Sequence, residues 1–251
     1  TQERVVFQPP FDAPTAPAPA RRVTFKAADG HELFGYVLAP PSDASFGPKR
    51  VVIAFHGNAD LSAWMTPWAH ELSKRAGVIV LVPEYRGYGG IDGDPSYPNA
   101  TADARGALTY ARDSLEADEV VIYGHSLGTA IGAELAAHMR ESPPRSLVLQ
   151  SPFTSARAMA TRMMVPPVPG LWQRISRIHY DTRRLVAEVD VPVFVSHGTR
   201  DITIPVRMGR EVFEAAKRRG ELLLVEGAGH NDVADVGGEK YWSWLVRAVG
   251  R

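Results

Sequence analysis

Cysteine is absent from this 251-residue chain, and that absence removes disulfides, thiolate metal sites and cysteine nucleophiles together. It leaves the redox compartment open. An excess of one charge sign is also lacking: Lys plus Arg and Asp plus Glu are 28 each. A net charge of zero gives no support for a basic surface that would hold nucleic acid or anionic lipid. No apolar run approaches the roughly 18 residues that a membrane-spanning helix needs, and no internal repeat is visible. With 45% hydrophobic residues the chain has enough to bury a sizeable core. Its length is usual for a single α/β sheet enzyme.

What is present is concentrated around one serine. Gly124-His125-Ser126-Leu127-Gly128 follows the apolar run Glu119-Val120-Val121-Ile122-Tyr123 and precedes an alanine-rich stretch that reads as a helix. Strand, G-x-S-x-G, helix is the pattern of a nucleophile elbow, a turn sharp enough to hold its central residue in strained backbone geometry. Glycines two before and two after are required because side chains there would collide with the neighbouring strand or helix.

A nucleophilic serine needs a base, and the base needs an orienting carboxylate. In this arrangement they follow in the order Ser, Asp or Glu, His, each after a later strand. The run 191–196 is strand-like and leads into His197-Gly198-Thr199-Arg200-Asp201; the run 221–226 leads into Gly227-Ala228-Gly229-His230. Asp201 and His230 are therefore the expected acid and base for Ser126, preferred over Asp232 and Asp190. Among the eight histidines, His56 and His197 precede glycine and read as loop-shaping residues, while His125, inside the elbow, is expected to point away from the reaction. Backbone N–H donors must also stabilise a tetrahedral oxyanion. Leu127, after the nucleophile, is one; Asn58 in the loop His56-Gly57-Asn58-Ala59-Asp60 is the first choice for the other, with Ala59 second.

Six segments stand in order, Phe55-His56-Gly57-Asn58-Ala59, Tyr85-Arg86-Gly87-Tyr88-Gly89, Gly124-His125-Ser126-Leu127-Gly128, Ser151-Pro152-Phe153-Thr154-Ser155, His197-Gly198-Thr199-Arg200-Asp201 and Gly229-His230-Asn231, and the resemblance they carry covers about residues 22–250, nearly the whole chain. The sequence resembles serine hydrolases of the α/β-hydrolase superfamily, and within it the small-capped group that includes the membrane-linked α/β-hydrolase-domain proteins of eukaryotes and many bacterial relatives. Glu84 departs from the Asp or Asn that the resemblance leads one to expect there. The resemblance implies a mostly parallel, eight-stranded sheet with helices on both faces and a small helical cap.

The expected elements follow this pattern. Strands 22–26 and 33–38 form an opening antiparallel pair, and parallel strands follow near 50–55, 78–82, 119–123, 146–150, 192–196 and 221–226. Helices are expected near 61–76, 98–114, 127–141, 204–218 and 238–249. Residues 1–21, with Pro9, Pro10, Pro14, Pro17 and Pro19, read as an extended lead-in to the hydrolase domain at 22–251. The chain opens on Thr1, so a signal or anchor cut away before it and a lost initiator methionine are both open; membrane association is expected only through such a segment. Location is left open between the cytoplasm and, if such a signal was removed, the cell envelope. The irregular stretch at about 152–190 is the expected cap. Met159, Met163, Met164 and Trp172 there are candidates to wall an acyl pocket, because thioethers adapt to varied apolar ligands; packing of cap onto core is the alternative. Trp64 lies close enough in sequence to the oxyanion loop to touch substrate, although Leu61, Trp64, Met65, Trp68 and Leu72 have the spacing of a core stripe.

The expected activity is cofactor-free and metal-free cleavage of a small-molecule carboxylic ester or thioester with a short to medium acyl chain, by Ser126, His230 and Asp201 through an acyl-enzyme. The resemblance to the membrane-linked group implies a lipid- or acyl-protein-directed (thio)esterase as the alternative. A dehalogenase would need a carboxylate where Ser126 stands, and a peptidase would be expected to carry a larger gating domain. A binding protein on the same fold remains the alternative class, though such proteins commonly lose a triad member and none is missing here.

Overall fold

The computed structural model describes residues 6–12, 14–41, 48–163 and 178–250. Eight strands form one sheet: β1 (Arg21–Lys26), β2 (Glu32–Leu38), β3 (Arg50–Phe55), β4 (Ile79–Pro83), β5 (Glu119–His125), β6 (Ser146–Gln150), β7 (Pro192–Gly198) and β8 (Arg218–Val225). Their spatial order is β1-β2-β4-β3-β5-β6-β7-β8. Strand β2 runs antiparallel to both β1 and β4, and every other neighbouring pair is parallel. This is the α/β-hydrolase fold that the sequence leads one to expect.

The described helices are α1 (Ser62–Ala76), α2 (Tyr97–Asp113), α3 (Leu127–His138), α4 (Ala156–Met163), α5 (Thr182–Glu188), α6 (Val206–Ala215) and α7 (Val233–Ala248). Strand β3 shows how the layers are specified. Successive side chains of a strand point to opposite faces. Val51, Ile53 and Phe55 accordingly join one core with Ala104 and Ala107 of α2, Ile131 of α3 and Val212 of α6. Val52 and Ala54 join the other, with Ala69 and Leu72 of α1 and Trp244 and Leu245 of α7. A strand covered on both faces must be apolar throughout, which is why β3 reads as an unbroken hydrophobic run.

Local signals set several helix ends. Ser96 accepts a hydrogen bond from the Asn99 N–H and caps α2. Gly77, left-handed at φ 63°, closes α1. Four elements differ from expectation, the first being α3, which ends at His138 rather than near 141. Helix α6 ends at Ala215 rather than 218, because Arg218, Arg219 and Gly220 enter β8, where a bulge opposite Val193–Val195 lets three charged or small residues join the strand. Helix α7 starts at Val233, and the expected start at 238 coincides with a break at Gly238 (φ 49°, ψ −136°). Helix α5 was not expected as a helix; Asp181 caps it through the Arg184 N–H, and Val186 fixes it in the core.

Strands β3 and β5 pair side by side at the sheet's centre, and the chain leaves β3 for β4 on one side and later β5 for β6 on the other. Such a reversal opens a crevice at the carboxyl ends of the strands, where ligands bind in open α/β sheets. The turn from β5 into α3 is exceptionally tight. A methyl on Gly124 would lie 2.2 Å from the Gly128 carbonyl oxygen, and one on Gly128 would lie 2.2 Å from the carbonyl oxygen of Phe55. Both obstacles are backbone and cannot rotate away. Gly128→Ala is therefore expected to cost about 3 kcal/mol, lowering Tm by about 6–12 °C in a chain of this size. Thermal unfolding followed by circular dichroism checks this, and a variant melting with the parent would contradict the close approach.

Candidate active site

Ser126 occupies the tight turn at φ 52° and ψ −114°, a conformation that non-glycine residues avoid. Its Oγ lies 3.0 Å from Nε2 of His230, and Nδ1 of His230 lies 2.6 Å from Oδ2 of Asp201. The three expected residues thus stand in one continuous hydrogen-bonded line, although they come from the ends of β5, β7 and β8.

Asp201 is held on every side. Its side chain is fully buried; Oδ1 accepts the N–H groups of Thr203 and Ile204 at 2.9 and 2.8 Å, and Oδ2 lies 3.2 Å from Nε2 of His197. Burial alone would raise its pKa, but hydrogen bonds from His197 and His230 prevail and hold it well below the usual carboxylate range. The two other acids are otherwise engaged. Asp232 accepts the Gly229 N–H and shapes the loop before His230, and Asp190 pairs with Lys217.

Two histidines behave differently from expectation. His125 does not point away: its ring centroid lies 5.2 Å from that of His230, and its Nε2 lies 3.3 Å from the His230 carbonyl oxygen. Burial, reinforced by the neighbouring His230, lowers its pKa to about 4, so it is neutral at physiological pH and donates to that carbonyl. His197 does more than shape a loop. Its Nε2–H is shared between the Ile204 carbonyl at 2.8 Å and Asp201, while Nδ1 is buried, has no hydrogen-bond partner among the described residues, and faces Gly209 of α6. Sequence reasoning passed over this contact, and the spacing of four between His197 and Asp201 is the signal that reveals it.

The loop after β3 lies directly beside the serine. A methyl on Gly57 would stand 3.4 Å from Cβ of Ser126. Leu127 opens α3, so its N–H has no intrahelical acceptor. Among the described residues, neither the Asn58 nor the Leu127 N–H donates to any protein acceptor. The Asn58 side chain is committed elsewhere: its Oδ1 accepts from the Gln8 N–H and the Tyr88 hydroxyl, both at 2.8 Å, and its Nδ2 donates to the Val6 carbonyl. These bonds flank the buried Phe7 and fasten the amino-terminal segment beside the loop.

The pocket candidates scatter. Trp64 is 48% exposed on the first turn of α1, and Met159 is half-buried against the core. Met163 is the last residue of α4, and Trp172 and Met164 lie outside the described residues. No described helix is long and apolar enough to cross a membrane.

A strained serine between a central strand and its helix, lined up with a histidine and a carboxylate from later strand ends, defines the class as that of the α/β-hydrolases. Residues 47–185 match the family described as Hydrolase_4, "Serine aminopeptidase, S33", and the chain belongs to it. An uncharacterized protein of Mycobacterium tuberculosis is 32% identical over 240 residues, covering 92% of this chain and 81% of the relative. Human alpha/beta hydrolase domain-containing protein 17B is 31% identical over 201 residues, covering 79% of this chain and 65% of the relative. Among solved structures, an esterase of Pyrococcus furiosus superposes with a TM-score of 0.76 at 20% identity, covering 98% of this chain and 99% of that one. Est1E from Butyrivibrio proteoclasticus, with ferulic acid bound, gives 0.71 at 20% identity over 90% and 96%.

The depressed pKa of Asp201 has a measurable consequence. The folded carboxylate binds a proton less readily than the unfolded one, whose ordinary value is 3.8. The unfolded state therefore takes up more protons in acid, and the stability from Asp201 is present above about pH 4 and lost as pH falls through the folded value. In urea titrations, the stability difference between parent and Asp201→Asn is expected to be constant above about pH 5 and to narrow below about pH 4. A pH-independent difference would contradict the buried-anion reading.

Proposed function

We propose that the protein is a serine hydrolase that cleaves carboxylic esters or thioesters through an acyl-enzyme. The observation that carries this reading is the line from Ser126 Oγ to His230 Nε2 at 3.0 Å and from His230 Nδ1 to Asp201 Oδ2 at 2.6 Å. Ser126 attacks the acyl carbon while His230 takes its proton; Asp201 fixes the imidazole's tautomer and stabilises the imidazolium. The N–H groups of Asn58 and Leu127 receive the oxyanion. His230 returns the proton to the departing alcohol or thiol, then activates the water that releases the acid.

Substrate size is the finer part of the reading. A cap of about 40 residues, interrupted in sequence by Pro166, Pro167 and Pro169, can cover the serine but is too short for a deep tunnel. A shallow apolar pocket gains roughly 0.8 kcal/mol per buried methylene until the chain emerges into water. Short to medium acyl groups are thus favoured. The resemblance of the sequence motifs to the membrane-linked α/β-hydrolase-domain group supports longer lipid or acyl-protein substrates as a second reading, and the aminopeptidase description of the family supports a third.

Ser126→Ala is expected to fold normally and to lose at least about 10³-fold in kcat, because the covalent route vanishes. Asp201→Asn is expected to be severely impaired and Asp232→Asn nearly unaffected; the reverse would mean that the acid is misassigned. Across p-nitrophenyl esters, kcat/KM should rise over the first few carbons and then fall. Efficiency that climbs steadily to palmitoyl would favour the lipid-directed reading, and faster cleavage of aminoacyl p-nitroanilides than of any ester would favour the peptidase.

A further inference from the structure

A second histidine–carboxylate pair is buried next to the serine, and the chemistry above leaves it unused. His56 and Glu84 are almost wholly inaccessible, with His56 Nε2 2.8 Å from Glu84 Oε1. The other ring nitrogen, Nδ1, lies 2.9 Å from the carbonyl oxygen of Gly57. Both neighbours are acceptors. A neutral imidazole can donate to only one of them and would turn a bare lone pair on the other, whereas an imidazolium donates to both. Burial works against that charge, but the Glu84 carboxylate, together with Asp60 and the Gly57 carbonyl, outweighs it and raises the His56 pKa.

Glu84 is itself fixed. Its Oε2 accepts the N–H and hydroxyl of Ser62, at 3.0 and 2.8 Å, where α1 begins and a helix favours negative charge. Its Oε1 also accepts the Tyr85 N–H, and the Tyr85 hydroxyl donates to the His56 carbonyl at 2.8 Å. Gly89, at φ 56°, makes room for this side chain: a methyl there would meet Glu84 Oε2 at 2.7 Å.

The consequence lies in the peptide that His56 holds. The Gly57 carbonyl and the Asn58 N–H belong to one planar trans unit, so they point in opposite directions. Fixing the oxygen towards His56 turns the N–H away from it, and Gly57 is the residue that packs against Ser126. We infer that His56, held by Glu84, is a positioning residue that aims the Asn58 N–H at the oxyanion site beside Ser126. This rests on the reading of Ser126 as nucleophile and Asn58 as donor. The pair touches no substrate; it acts by setting one peptide plane before the reaction, which is what preorganised oxyanion stabilisation requires.

The test combines kinetics with a readout independent of turnover. Glu84→Gln keeps the shape but removes the charge and sets an amide NH₂ against a donor. With p-nitrophenyl butyrate it is expected to lower kcat about 10–100-fold, less than the loss from deleting an oxyanion donor outright, with KM changed by less than about 3-fold. The affinity for butylboronic acid, whose serine adduct places an oxygen at the oxyanion site, should fall by a similar factor, and Glu84→Asp should recover part of both. Nitrogen-15 NMR of the parent at pH 7.5 should show both ring nitrogens of His56 protonated, and the Asn58 amide resonance should move in Glu84→Gln. A singly protonated His56, an unmoved Asn58 amide, or unchanged kcat and boronate affinity in Glu84→Gln would overturn the inference. If Glu84→Gln fails to fold, the ring nitrogens of the parent and the kinetics of Glu84→Asp decide instead. Should the parent cleave no ester, and bind boronate no better than Ser126→Ala does, the hydrolase reading fails; the resonances of His56 and Asn58 still decide the positioning.

Discussion

The approach of α3 to the end of β3 is the constraint on which the rest of the structure depends. With no side chain at Gly124 or Gly128, the backbone of the elbow descends until it nearly touches the Phe55 carbonyl. The chain can turn in so little space only if Ser126 adopts a positive φ. That strain, of order 1–3 kcal/mol, is borne by the packing of two cores against the sheet. Its return is geometric: the serine stands at the carboxyl edge of the sheet, at the start of α3 and beside the loop after β3.

Around that spot the electrostatics are arranged in pairs. His230 meets Asp201 in front of the serine, and His56 meets Glu84 beneath the neighbouring loop. His125 stands near His230 and stays neutral, so it adds no like charge where an imidazolium would form. His197 supplies a further donor to Asp201, which keeps the carboxylate ionised despite full burial. In surroundings where water is excluded, each of these contacts counts for more than it would at the surface.

Much of this was legible in the sequence because strand ends announce themselves. Ser126, Asp201 and His230 each follow an apolar run and sit among glycines, so their meeting required only the strand order of the fold. The contacts that were not legible depend on neighbours across the sheet. His56 and Glu84 are 28 residues apart and meet because β4 lies beside β3; the sequence shows only a histidine before a glycine and an unexpected glutamate. Helix α5 has seven residues and no full hydrophobic period, so its cap at Asp181 was its one signal. The burial of Phe7 was equally hidden, since the three apolar residues Val5-Val6-Phe7 before a proline-rich stretch are too few to show a period. Gly238 was read as the start of a helix when it is a break within one.

Every step of the proposed hydrolysis depends on Ser126 being the covalent nucleophile. The most direct measurement treats the protein with a fluorophosphonate probe and maps the adduct by mass spectrometry of its peptides. One adduct is expected, on Ser126, formed at a rate that matches the loss of hydrolysis. An adduct on any other serine, or continued hydrolysis with Ser126 fully modified, would contradict it.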